Sequence, residues 1–150
     1  MKKLIGIINV KIPKSIVVIS STQVSDDFHS RYDAKGKRYV YRLLNSKNES
    51  PFLDKLVYFY PYDVDADLMN AQAKDFIGTH DFSAFCASGS EVESKIRTIY
   101  DFSVERRGDE VVFTVSGDGF LYNMVRIIAG TLIHVGMHKI SADDIPDIID

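Results

Sequence analysis

One cysteine, Cys86, in 150 residues rules out an internal disulfide and a thiolate zinc cluster. Without a disulfide framework the expected location is the cytoplasm. No apolar run approaches the length needed to cross a membrane. The opening Met1-Lys2-Lys3-Leu4-Ile5-Gly6-Ile7-Ile8-Asn9 is too short and too soon interrupted for a signal peptide. Also missing are a Gly-x-x-x-x-Gly-Lys phosphate loop, a dinucleotide fingerprint, a serine nucleophile elbow and a His-Glu-x-x-His zinc site. His134 and His138 have the spacing of a two-histidine metal site, but no third ligand comes into view and no metal is expected. Internal repeats, low-complexity tracts and linkers are absent as well.

What remains is an ordinary globular composition, 45% apolar and 26% charged, in a chain long enough for one domain with a real core. The net charge of −3 argues against a nucleic-acid binder, but the charge is unevenly spread. Residues 31–47 hold Arg31, Lys35, Lys37, Arg38, Arg42 and Lys47 against Asp33 alone, a local +5 that leaves −8 for the rest. Such a stripe on an acidic body fits a phosphate-binding footprint. It equally fits a strand edge carrying cations that block edge pairing.

Along the chain, a short apolar lead ends at Ile12-Pro13-Lys14-Ser15, which breaks any helix. The β-branched run Ile16-Val17-Val18-Ile19-Ser20 predicts a buried strand. From Lys37 to Asn45 the residues alternate, Lys37, Tyr39, Tyr41 and Leu43 on one face and Arg38, Val40, Arg42 and Leu44 on the other, which predicts a strand. Val57-Tyr58-Phe59-Tyr60 predicts a second strand, ended by Pro61. Asp65 is placed to cap a helix running to about Ile77, with Met69, Ala73, Phe76 and Ile77 inward and Gly78 as its stop. The stretch from Cys86 through Ser94 predicts a mobile loop, with Cys86 a small buried or loop residue. Thr98–Glu105 and Val111–Ser116 predict a hairpin joined by residues 106–110, with Tyr100, Phe102 and Val104 opposite Val111, Phe113 and Val115. Ser141 predicts the cap of a final helix through Asp150.

The segment Gly117 to Gly136 stands out. Leu121, Met124, Val125, Ile128, Leu132 and Val135 recur at helical spacing, and Ile127 and Ile133 outside that stripe predict burial on more than one side. Arg126 sits in its middle. A buried guanidinium must meet an acid, a phosphate or water. It either reaches solvent along its stem or faces a cleft and grips a carboxylate or phosphate with its five-donor fork; spacing alone leaves both open. Three strands, a helix, a hairpin and two helices, in that order, predict an α+β fold, a largely antiparallel mixed sheet covered by helices.

Five motifs then fall into one pattern: Phe28-His29-Ser30-Arg31, Lys37-Arg38-Tyr39-Val40-Tyr41-Arg42, His80-Asp81-Phe82-Ser83-Ala84-Phe85, Gly119-Phe120-Leu121, and Met124-Val125-Arg126 with Gly130 and Val135-Gly136. In this order and spacing the chain resembles the tRNA pseudouridine synthase A (TruA) family over most of its length. The resemblance implies a pseudouridine synthase-like catalytic domain that isomerises uridine in the anticodon stem-loop of tRNA, with neither metal nor organic cofactor, in a homodimer. It implies that Tyr39 packs on the target base and assists proton removal at its C5, and that Arg126 pairs with a catalytic aspartate. His29, Arg31, Lys37 and Arg38 would then hold the RNA substrate. A tyrosine on a basic strand suits such stacking, though a cross-strand packing role suits Tyr39 too.

The departure from that pattern concerns the nucleophile. The family carries its aspartate in a Gly-Arg-Thr-Asp-Ala-Gly type motif, and this chain contains none. The chain is therefore expected to be a single partial domain, the central and C-terminal part of such an enzyme without its N-terminal half and final strand, and inactive alone. A non-catalytic RNA-binding module and a purely structural or oligomerisation domain are the alternatives.

Overall fold

A long antiparallel hairpin is the centre of the fold. In the computed structural model, which describes residues 2–90 and 92–149, β4 (Ile96–Arg107) and β5 (Glu110–Gly117) pair through Phe102 with Val115 and Val104 with Phe113. These four side chains are buried, as the alternation predicts. The strands run further than expected, leaving only Gly108 and Asp109 to turn the chain. Gly108, at φ 61°, takes the left-handed conformation such a two-residue turn needs.

Tyr100 departs from its expected inward position. Pairing steps from Ile99 with Gly117 to Asp101 with Ser116, so Tyr100 is extruded as a β-bulge. Ile99 takes the core position and Tyr100 is exposed. Gly117 is required where the strands close up, because a Cβ there would lie 2.6 Å from the Thr98 carbonyl oxygen.

The chain divides into two units, residues 1–34 and 35–150. In the second, the sheet order is β2-β1-β5-β4-β3, with β1 at Lys37–Leu44, β2 at Tyr58–Phe59 and β3 at Gly78–Asp81. Only β1 and β2 are parallel; the other pairs are antiparallel. Strand β3 was not foreseen, because Gly-Thr-His-Asp is too short and polar to show alternation. Its edge is held by a 2.9 Å hydrogen bond between the Thr79 and Thr98 hydroxyls.

Helices cover one face, giving the expected α+β architecture. Asp65 caps α2 (Ala66–Ala73) by accepting from the Leu68 amide at 2.9 Å. A 3-10 turn over Lys74–Phe76 extends the helix almost to Ile77. Helix α3 (Met124–Gly136) buries Met124, Val125, Ile128, Leu132, Ile133 and Val135, so two flanks are covered as predicted. It ends at Gly136, but the left-handed residue beyond it is His138. Gly136 instead lets α3 touch α2: a Cβ there would sit 2.6 Å from the Met69 sulfur. Ser141 makes no side-chain cap, and the final segment is a 3-10 turn followed by α4 (Ile145–Ile149); the expected end at Asp150 lies outside the described residues.

The first unit contains α1 (Lys2–Lys11), which ends just before Pro13. The expected buried strand at Ile16–Ser20 is not formed, and Ile16, Val17 and Ile19 are exposed, Ile19 at 89%. β-branched residues favour strands only when a pleated surface is there to receive them. Among the described residues of this unit, Asn9 makes a ladder-like contact, its amide exchanging two hydrogen bonds with the Val18 backbone at 2.8 and 2.9 Å.

Candidate functional site

The site grows from the first half of β1. Along β5 it is fully paired, but on its other side β2 reaches only Leu43 and Leu44. Residues Lys37 to Val40 are accordingly exposed on both faces, whereas Leu43 and Leu44 are buried. Tyr39 lies opposite Val115, on the helix-covered face, yet is 48% exposed. Its ring meets Phe120 edge-on at 5.2 Å and 84°. Tyr41, two residues on, points the same way and sits edge-on against Phe113 at 5.9 Å.

Arg126 belongs to the first turn of α3. Asn123 enters that turn with φ 57°, a left-handed conformation asparagine tolerates. Its side chain accepts from the Arg126 guanidinium at 3.2 Å. Arg126 is exposed, and no carboxylate among the described residues lies within ion-pair distance. In this chain the guanidinium reaches solvent, with donors to spare. Its charge bears on Tyr41, whose phenol is pushed up chiefly by burial, further by Tyr58, and drawn back by Arg126. Tyr39, Tyr41, Phe120 and Arg126 thus share one face, beside the N-terminal end of α3.

The basic stripe is less uniform than the sequence suggests. Arg42 forms a two-pronged pair with Glu110 at 2.7 and 2.8 Å, and Lys47 lies 3.7 Å from Asp63. Among the described residues, Lys35, Lys37 and Arg38 have no such acid partner. Alternation places Lys37 on the Tyr39 face and Arg38 on the opposite one. The pair at Glu110 has a measurable consequence. The hydrogen bond from Arg42 holds its carboxyl below the ordinary value of 4.5. A carboxyl depressed on folding stabilises the fold above its unfolded value and loses that effect as pH falls through the folded one. Unfolding midpoints followed downward from pH 6 should therefore decline more steeply below pH 4.5 in the wild type than in Glu110→Gln.

His29 and Arg31 lie in the first unit and build a turn of their own. The His29 ring nitrogen Nδ1 accepts from the Arg31 and Tyr32 amides at 3.3 and 3.2 Å, and its own amide donates to Asp33 at 2.7 Å. The ring packs on Tyr32 at 4.3 Å, and Arg31 lies 5.9 Å from that same ring. With Nδ1 accepting, the neutral imidazole carries its proton on Nε2.

Cys86 is half-buried and receives Lys95 at 3.4 Å. Glu91, within the loop expected to be mobile, lies outside the described residues. Among the described residues no three His, Cys, Asp or Glu side chains gather to hold a metal, and no helix is long and apolar enough to cross a membrane. Sequence reasoning passed over Phe120, which it held only as part of a short motif, and Tyr41, which it held only as the neighbour of Tyr39. The aromatic-every-second-residue pattern of Tyr39-Val40-Tyr41 was the available signal.

Comparison with known proteins places the chain. Residues 72–150, more than half of it, match the family described as tRNA pseudouridine synthase. The tRNA pseudouridine synthase A of Acetivibrio thermocellus is 50% identical over 143 residues, covering 95% of this chain and 59% of that protein. That of Halalkalibacterium halodurans is 46% identical, covering 95% and 54%. That of a Thermoanaerobacter species is 45% identical over 148 residues, covering 99% and 61%. The chain thus spans little more than half the length of these relatives. The chain belongs to the tRNA pseudouridine synthase A family.

Proposed function

We propose that this chain supplies the base-stacking and arginine half of a uridine-to-pseudouridine isomerase acting on the anticodon stem-loop of tRNA in the cytoplasm. The observation that carries the reading is an exposed Arg126 with unused donors, on the same face as an exposed Tyr39. In the reaction the bond from the sugar C1′ to N1 of uracil breaks and the base turns. C1′ then bonds to C5, a proton leaves C5, and N1 ends protonated. Tyr39 offers a flat face to the extruded base and a phenol placed to assist proton removal at C5. Arg126 holds a carboxylate nucleophile in line through its planar fork.

That carboxylate comes from a segment of Gly-Arg-Thr-Asp-Ala-Gly type outside the 150 residues, so the chain alone binds RNA without converting it. Lys37, Arg38, Arg31 and His29 contact the sugar–phosphate backbone, which fixes register without reading sequence. Neither metal nor organic cofactor takes part, and the working assembly is a homodimer.

Filter binding of an anticodon stem-loop RNA at two salt concentrations tests the RNA face. Binding should weaken with salt, and more weakly so in Lys37→Ala/Arg38→Ala, since each lost phosphate contact lowers the salt slope by about one. Salt-insensitive binding, or none by a folded chain, contradicts the reading.

A further inference from the structure

Gly130 is hard to explain by the packing of this chain. Glycine weakens a helix interior relative to alanine, and it is usually kept where a Cβ would collide. At Gly130, in the middle of α3, an added Cβ would meet no atom within 4 Å. Beside it lies open space rather than a packed neighbour.

The walls of that space can be named. Arg126, Gly130, Ile133 and Met137 follow one another down one flank of α3 and its C-terminal cap, at the spacing that brings helical residues to one side. The Arg126 charge reaches Tyr41 at one end, and the Tyr60 hydroxyl donates to the Met137 sulfur at the other. Tyr58 falls between, since it pairs with Leu43, two residues beyond Tyr41 on the same face. Its ring is 51% exposed and lies 6.3 Å from that of Tyr60, 28° from parallel. The α3 flank at Gly130 and the tyrosine row therefore face each other between two contacts, Arg126 with Tyr41 at one end and Met137 with Tyr60 at the other.

The charge is one-sided. No acid occurs from Gly119 to Ala142, although the whole protein carries −3, while Arg126, His134 and Lys139 all lie in that stretch. Of the acids near the tyrosine row in sequence, Asp54 precedes Tyr58, while Asp63 and Asp65 follow Tyr62, where the Asp65 carboxylate caps α2.

We propose that the space between Gly130 and Tyr58 is a second nucleotide subsite, which takes one unpaired nucleotide of the RNA loop next to the target uridine. Its base stacks on Tyr58 and its sugar–phosphate passes over Gly130, where the missing side chain lets the chain come close. Aromatic faces beside an anion-accepting, acid-free helix are what single-stranded RNA uses. The space continues directly from Tyr39 and Arg126. This inference rests on the proposed function, and it adds a determinant of which loop position is chosen: the neighbour must be free to unstack.

The test is binding of a stem-loop RNA by the wild type, Tyr39→Ala, Tyr58→Ala and Gly130→Leu, with thermal unfolding of each. Gly130→Leu should unfold no earlier than the wild type, because leucine favours helix over glycine and its Cβ would have no atom within 4 Å. Its affinity should nonetheless fall about tenfold, and that of Tyr58→Ala by a similar factor. An RNA abasic at the neighbouring nucleotide should lose that factor with the wild type and lose nothing further with Tyr58→Ala. If both variants bind intact RNA as tightly as the wild type while Tyr39→Ala weakens, the subsite is refuted and the proposed function stands. That result would also be expected if the space instead receives a protein segment. If the wild type binds no RNA, both fall.

Discussion

Arg126→Ala should leave the fold intact and reduce pseudouridine formation by roughly two to three orders of magnitude once the carboxylate-bearing segment is supplied. The first half follows from exposure. The side chain makes one hydrogen bond, to Asn123, and fills no part of the core. Exposed substitutions of that kind usually change stability by no more than about 0.5 kcal/mol. The second half follows from desolvation on assembly. Removing one partner of a charge pair that becomes buried costs about 2–5 kcal/mol, much of it the penalty of the charge left behind. Each 1.36 kcal/mol or so is a factor of ten in rate. Arg126→Lys should rescue only partly, because a lysine cannot offer the two-pronged fork. Turnover of the complemented protein, read beside its thermal midpoint, checks both halves. A variant that unfolds early, or one that keeps full turnover, contradicts the assignment.

Phe76→Ala is the substitution expected to damage the fold most. Phe76 ends the 3-10 turn after α2, is fully buried, and meets Phe85 edge-on at 5.2 Å and Phe102 at 6.1 Å. It therefore joins α2, the turn after β3 and the central hairpin. Truncating a buried phenylalanine costs about 3–5 kcal/mol through lost transfer energy and the cavity left behind. The two aromatic contacts put this site toward the upper end. Against a typical total of about 5–15 kcal/mol, that is a large fraction. Urea unfolding should show a midpoint sharply lowered with the slope unchanged. Phe76→Leu should recover much of the loss, and an alanine variant as stable as the wild type would show that this junction carries little.

The parts of this architecture that the sequence makes legible are those written as apolar periodicity. Helix α3 reads at 3.6-residue spacing and the β4–β5 hairpin at two, and both are where expected. Tyr100 misleads because a bulge resets the alternation, and nothing local marks it until the pairing with Gly117 is seen. Ile16–Ser20 misleads for the opposite reason: its composition suits a sheet that its own unit does not provide. Strand β3 escapes because its contribution is a row of edge hydrogen bonds rather than a buried face.

The site divides in the same way. Tyr39 and Arg126 are visible as residues whose chemistry does not match their surroundings, an aromatic among cations and a cation among aliphatics. What decides their environment is long-range. Arg42 finds Glu110 across 68 positions, which removes it from the free basic stripe. Tyr39 finds Phe120 only because β5 delivers it past Gly117. The left-handed start at Asn123, which frees Arg126 from the core, is a backbone feature that no side-chain pattern announces.

If this face is one half of an isomerisation site, its carboxylate must arrive from elsewhere. The direct measurement is pseudouridine formed in tRNA by the 150-residue chain alone, and by the chain mixed with the N-terminal portion of the Acetivibrio thermocellus relative that lies outside the matched region. The chain alone should give no product, and the mixture should give product that Arg126→Ala abolishes. Product from the chain by itself would contradict this reading.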